Sequence, residues 1–541
     1  MNKKNFFSLL LLSILSIVLL LVLSSHINKR FPEVRTGGGI FKEGTEGTPR
    51  FINPVLARPK NASEQDLTEL IFSRLLSHKK NGSIVYSLAK SLKKEDAGRS
   101  YILTLKEGIS FHDGHPITAD DVVYTIKKIQ DPSINSPLFN YWTGVEVKKE
   151  NDRQIRFNLV HAYDGFPYSL EIGILPKHLW EEVADEEFAF SKLNRYPVGS
   201  GHYKIKEILF DKENKPIKYA LEKRKGGDGY IENVELSIFN DTQSMREALA
   251  KGNIDAVYGI ERTFAEKTVE KKHNLKLYHD ALPNLFMLFY NTSKKGFSSQ
   301  RLLRNYLDSL IQREDIVKDI FKGYASPINT SMGNYEKEDL KKRREKIEGE
   351  LKKKGWKKNA KGIYEKDGKE LSFTITTRDN QELIQVAKEI AREAKEGGVE
   401  IKIKPYDMNQ KEFVQQIINQ RNYELLLYGY FYEKPSDLFA FWHSSQRESP
   451  GLNLSMYSNP KLDLILEKLR EHEDSKLEKE MESILHTDTP ASFLYKPHYI
   501  YVLPKKIKGV NLDIRRRADR FISLPEWYIY TRKVWPFFIK E

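Results

Sequence analysis

The sequence predicts a two-lobed α/β protein preceded by an apolar N-terminal helix. Some 500 of the 541 residues follow the apolar start, more than one folding unit at roughly 100–200 residues per domain. Beyond that start, runs of alternating apolar residues are interleaved with amphipathic runs of helical period, as in α/β lobes. Forty per cent hydrophobic and 11% aromatic residues suffice for real cores, and with no cysteine those cores must form without disulfides or thiolate-bound metal.

The elements follow in order. Lys3 and Lys4 precede an apolar run, Phe6 to Leu23, interrupted only by Ser8, Ser13 and Ser16. About 18 residues meet the roughly 17 that a membrane-spanning helix needs and exceed the ~7–15 of a secretory h-region. Residues 1–35 are therefore read as a retained signal-anchor and tether, with a cleaved signal peptide as the alternative. Lys3 and Lys4 place the N-terminus inside, against Lys29, Arg30 and Arg35 on the other flank. Thr36–Phe51 is Gly-rich and extended, Asn53-Pro54 is a turn, and Asp66–Leu76 reads as a helix with Leu67, Leu70, Ile71 and Leu75 on one side. Tyr101, Leu103 and Leu105 alternate as a half-buried strand. Asp113-Gly114 then turns the chain, because glycine tolerates positive φ. Thr118 with Asp121 caps a helix whose apolar face is Val122, Val123, Ile126 and Ile129. Later, Leu285–Thr292 reads as a strand leading into a helix over Arg301–Ala325, and Leu425–Leu427 as a buried strand of parallel type. Such strands end at the crevice where α/β proteins bind ligands.

These segments carry a resemblance. LKEGISFHDGHPITADDVVYTIKKI (Leu105–Ile129), ILPKHLW (Ile174–Trp180), PVGSGHYKI (Pro197–Ile205), GNIDAVYG (Gly252–Gly259) and LFMLFYNT (Leu285–Thr292) recur in the order found in bacterial extracytoplasmic solute-binding proteins of family 5, the peptide/nickel class. The helix from Arg301 matches the same family in spacing, although Asn305, Tyr306 and Gln312 stand where Arg, Ala and Asp are usual. The resemblance implies the type II (cluster C) periplasmic-binding-protein fold with an extra inserted domain. Lobe I would comprise residues 36–56, 196–279 and 495–541, the inserted domain 57–195 and lobe II 280–494. Two crossing segments, near Tyr258–Glu261 and Tyr495–His498, would form the hinge. It further implies an extracytoplasmic, monomeric receptor that captures a small ligand, first of all an oligopeptide, and delivers it to the permease of an ABC importer. Glyco-oligomers or a metal chelate are alternative ligands, and a tethered hydrolase or a chaperone-like derivative are alternative classes. The lipid-modified cysteine that anchors many family members is missing, so membrane attachment falls to the N-terminal helix.

Family members place ligand contacts in two regions. Arg58-Pro59-Lys60, after the Asn53-Pro54 turn, is expected to pair its backbone with an extended ligand. In the second lobe, peptide-binding members follow a strand with W-x-x-D-x-x-[DE]-P, whose first aspartate holds the peptide ammonium. Alignment on Pro435 puts Tyr428 at the tryptophan and Phe431 at that aspartate. An ammonium in a dry cleft requires a counter-charge, so Glu433 or Asp437 is expected to replace it. Tyr428, Tyr430, Tyr432 and Trp442 supply aromatic faces suited to peptide side chains or sugars, with the alternating tyrosines expected in the cleft. Trp142 either walls the cleft or anchors the inserted domain.

Other chemistries find little support. His112 and His115 flank Asp113 but have no third metal ligand nearby in sequence, so no metal or cofactor is expected. Ser200 has glycines adjacent rather than two residues away, as a nucleophile elbow requires, and Asp120-Asp121 suit a helix start rather than catalysis. No catalytic group is assembled, so no enzyme is expected. The net charge of +13 is spread, and in Lys341–Lys361 glutamates interleave the lysines at helical spacing. That pattern marks a solvated face, and nucleic-acid binding is set aside.

Overall fold

The computed structural model describes residues 13–22, 33–432 and 437–534. Its two main sheets are joined through one long strand, Ala491–Pro504. The first half of that strand pairs antiparallel with Asn284–Tyr290, and the second half with Leu275–Ala281. The chain therefore passes between lobes at two adjacent points, Leu282-Pro283 and Lys496-Pro497, tied by the Leu282 N–H to the Pro497 carbonyl at 3.0 Å. The expected first crossing at Tyr258–Glu261 is corrected: Val257 and Tyr258 pair with Val502 and Tyr501 inside the first lobe. Gly259, at φ +77°, turns the chain there into the helix Arg262–Lys271, and Leu275–Ala281 returns to the same lobe before the crossing.

The first sheet continues through Ala256–Tyr258, Ile40–Glu46, Asn233–Phe239, Pro216–Lys223 and Tyr203–Phe210. The second is built from Glu400–Tyr406, Ser372–Arg378, Leu425–Phe431 and Asn284–Tyr290. Leu425–Phe431 is parallel to Ser372–Arg378 on one side and antiparallel to Asn284–Tyr290 on the other, so it is only half of the parallel type expected. A separate four-stranded antiparallel sheet is formed by Ala89–Glu95, Ser100–Leu105, Gln154–Leu159 and Val145–Asn151. Its buried side chains, among them Tyr101 and Phe157, are continuous with first-lobe residues such as Phe41 and Val234 in one core.

Local chemistry sets the elements near the cleft. The helix expected at Asp66–Leu76 is observed at Ala62–Ile71. It starts early because the Asn61 side chain accepts from the Glu64 N–H, and it stops because Phe72 is extended and the Gly201 N–H takes the Ile71 carbonyl at 2.7 Å. A Cβ on Gly199 would lie 2.0 Å from that carbonyl oxygen, so the glycines around Ser200 permit close approach of this turn to the helix end. Thr118 and Asp121 do cap Ala119–Gln130, with the Thr118 N–H 2.8 Å from Asp121 Oδ2. The long helix expected over Arg301–Ala325 breaks after Leu310, where the Gln312 N–H donates to Glu393 Oε2 at 3.0 Å. Residues 13–22 are helical and exposed; the rest of the apolar run lies outside the described residues. Among the described residues no helix is long and apolar enough to cross a membrane.

Candidate functional site

A cavity of about 700 Å³ lies between the lobes. One wall is formed by the helix Ala62–Ile71, the following loop and the arginine-rich stretch Arg515–Ala518. Behind this wall Arg520, fully buried, places its guanidinium 2.7 Å from both carboxylate oxygens of Asp66 and 2.9 Å from Glu43. Thr45 and Tyr501 donate to the same two carboxylates. The cavity surface itself carries four arginines, Arg74, Arg515, Arg516 and Arg517, against two glutamates, Glu69 and Glu171.

Among the described residues these charges pair across the wall. Arg74 bonds Glu69 at 2.7 Å and Asp519 at 2.9 Å. Glu171 receives Arg515 at 2.6 Å, His78 at 2.7 Å and Arg516 at 2.9 Å. Burial alone would raise the Glu171 carboxyl, but the His78 hydrogen bond and the three arginine charges outweigh it and hold it far below the usual range. Glu69 is pushed up to about 7 by burial, which Arg74 offsets only in part. Arg517 reaches Asp66 through Nε at 3.5 Å, while its Nη2 is buried with no hydrogen-bond partner among the described residues. A buried, unpaired guanidinium N–H beside a cavity is a ready donor to an anionic ligand group.

Aromatic side chains complete the lining, with Tyr168 stacked on His78 and under the Arg515 guanidinium. Phe431, at the end of its strand, and Asn284 come from the second lobe, and Tyr141, Trp142 and Tyr168 from the four-stranded unit. A second cavity of about 890 Å³ lies between that unit and the second lobe. The two share Tyr141, Tyr168, Ser169 and Phe431, so Phe431 stands at their junction. Across the second cavity the Asp164 N–H donates to the Arg470 carbonyl at 2.8 Å, and the Arg470 guanidinium lies over the rings of Tyr163 and Phe439. Asp437 lines this cavity, 3.9 Å from Arg470 Nε.

Of the ligand-contact candidates singled out from sequence, Pro59, Trp142, Phe431 and Asp437 line a cavity. Arg58 turns its guanidinium and its N–H to Glu64, and its carbonyl accepts from Asn61 and Gln65. Backbone pairing with a ligand through Arg58 would have to displace those bonds. Lys60 is exposed beside it. Glu433 lies outside the described residues. The expectation that Tyr428, Tyr430 and Tyr432 face the cleft is corrected. They share one face with Leu426, and that face packs into the second lobe's own core, Tyr430 against Phe289 and Phe441, Tyr432 against Phe441. Strand alternation therefore presents Phe431, 39% exposed, on the other face. Trp442 is fully buried between Phe289 and Phe493. Trp142 satisfies both of its readings, being a buried core residue in contact with Phe157 and Phe166 and also part of the cavity wall.

Sequence pattern does not single out the arginine stretch. Its only local signal is three consecutive arginines, because its partners Glu171, Arg74 and Asp66 lie hundreds of residues upstream.

Comparison with known proteins agrees with this architecture. The family model described as "Bacterial extracellular solute-binding proteins, family 5 Middle" matches residues 83–450. The oligopeptide-binding protein AppA of Bacillus subtilis (strain 168) is 28% identical over 514 residues, 91% of this chain and 92% of that protein. Its solved structure in complex with a nonapeptide superposes with a TM-score of 0.65 at 26% identity, covering 92% of this chain and all of the other. NikZ from Campylobacter jejuni, solved with Ni(L-His), gives a TM-score of 0.67 at 24% identity, covering 91% and 99%. The fold is that of the type II periplasmic-binding proteins, a mixed α/β architecture, and members of this family bind solutes. The chain belongs to the bacterial extracellular solute-binding proteins of family 5.

Proposed function

We propose that this protein is an extracytoplasmic receptor that closes its lobes around an oligopeptide and presents it to the permease of an ABC importer. The observation that carries the reading is the pair of adjoining cavities walled by both lobes, basic at one end and aromatic in the middle. Each cavity falls within the roughly 300–1,000 Å³ of a small-molecule site, so the two together suit a ligand longer than a single amino acid. The unpaired Arg517 N–H offers a place for a peptide carboxylate, and Asp437, or Glu433 beside it in sequence, the counter-charge for an ammonium. The relatives named above are oligopeptide- and nickel-complex-binding proteins, which supports a charged solute. Two antiparallel connections with no helix between them suit hinge closure, a two-state change biased by contacts with both lobes. The first 35 residues would serve as the membrane anchor, residues 57–195 as an inserted domain of lobe I, and the chain would act as a monomer without catalysis.

The test is a thermal-shift and calorimetric screen of the full chain against short peptides with free or blocked termini. A saturable rise in melting temperature with peptide returned intact is expected. Steady peptide cleavage, or no response to any peptide, would move the protein to the hydrolase or the non-peptide reading. For the anchor, N-terminal sequencing of membrane-fractionated protein should find residues 1–25 retained.

A further inference from the structure

We propose that Asp113, His115 and His178 form a binding site for a divalent metal ion of the zinc or nickel type, separate from the ligand cleft. None of the three lines either cavity. In sequence His115 has only His112 and Asp113 for company. The fold supplies the missing ligand from 65 residues away, with His178 Nε2 2.8 Å from Asp113 Oδ2. His115 Nδ1 is 3.4 Å from Asp113 Oδ1, and its ring stacks on that of His178 with centroids 3.9 Å apart. One ligand atom from each residue lies within 4.8 Å of the other two. A tetrahedral ion with bonds of 2.0–2.1 Å requires ligand atoms about 3.3 Å apart, so the set closes on an ion by movements of about 1.5 Å or less.

Both segments are held from behind. The turn is fixed by the Phe111 N–H to the His115 carbonyl at 2.8 Å, with Gly114 at φ +95°. His178 follows Lys177, whose N–H is 2.9 Å from Asp121 Oδ1, the carboxylate that also caps the neighbouring helix. His112 is excluded as a ligand, because one ring nitrogen accepts from the Gly199 N–H and the other meets the Gly201 carbonyl. The Asp113–His178 bond alone would serve a structural purpose. His115 is what exceeds that purpose: a second imidazole on the same carboxylate, its side chain 59% exposed. Two imidazoles with one carboxylate suit zinc, nickel or copper rather than calcium or magnesium, which take oxygen ligands. Three protein ligands leave a position open for water or an exogenous donor.

The test is a zinc titration by calorimetry on the chelator-treated full chain, repeated with His115→Ala, His115→Gln and Asp113→Asn. The wild type should bind one zinc ion per chain, with a rise in melting temperature. Each variant should lose at least about tenfold in affinity, since even the outer partners of a metal ligand are worth about 10–100-fold. Because His115 is exposed, its two variants should melt like the wild type without metal, which separates ligand loss from misfolding. Absence of saturable zinc binding by the wild type would overturn the proposal. So would equal binding by either His115 variant, which would place any metal elsewhere.

Discussion

At the scale of single residues, Arg517 and Asp437 carry the proposed polarity of the cleft. Arg517→Gln should weaken peptides with a free C-terminal carboxylate by about 1.5–3 kcal/mol, the range for a hydrogen bond to a charged group, and leave C-terminally amidated peptides nearly unchanged in calorimetry. Asp437→Asn should weaken free-amine peptides and spare N-acetylated ones. Phe431→Asp, restoring the family residue at the junction of the two cavities, should improve binding of free-amine peptides only. If these three variants leave every peptide unchanged, the terminal groups are held elsewhere. Arg520 tests the wall behind the site. Arg520→Met leaves Asp66 and Glu43 buried together without their guanidinium, and should cost about 3–5 kcal/mol in denaturant unfolding. The sequence made Phe431 and Asp437 visible through a motif, since both lie within a few residues of Pro435. It hid Arg517, whose meaning depends on Asp66, 451 residues earlier.

At the scale of elements, what was legible was local. The strand Ser100–Leu105, the Asp113-Gly114 turn and the capped helix Ala119–Gln130 are each decided by neighbours within a few positions. The helix expected to run to Leu76 stops at Ile71 because that stop is imposed by Gly199 and Gly201, more than a hundred residues later. Likewise, alternation puts Tyr428, Tyr430 and Tyr432 on one face, but only Phe289 and Phe441 decide that this face is the inner one. The crossing strand carries a pH prediction. His498 Nδ1 lies 3.0 Å from His279 Nδ1, its Nε2 meets Ser326 Oγ at 2.9 Å, and Lys80, Lys496 and Asp280 are the charges nearby. Burial, then His279 and the lysines, lower its pKa from 6.5 to about 4, against the pull of Asp280. A histidine depressed in the folded state binds fewer protons there than when unfolded. Its contribution is therefore complete above about pH 6.5 and is lost as pH falls toward 4. The melting temperature of the wild type should fall more steeply between these limits than that of His498→Asn; parallel curves would show that the pair does not govern the hinge strand.

At the scale of the molecule, the order of family segments disclosed the type of fold, because order along the chain survives where individual residues change. The positions of the crossings were harder to read. A strand that returns to its own sheet and a strand that leaves it look alike in sequence, and the choice at Gly259 is settled by pairing with Val502 and Tyr501. The central claim is that the two lobes enclose one intact oligopeptide. Native mass spectrometry of the full chain, incubated with a mixed library of short peptides, tests it most directly. The account predicts a single uncleaved peptide per chain, with free-carboxylate members of the library depleted from the Arg517→Gln complex. A chain that retains no peptide, or one that releases shortened products, would contradict it.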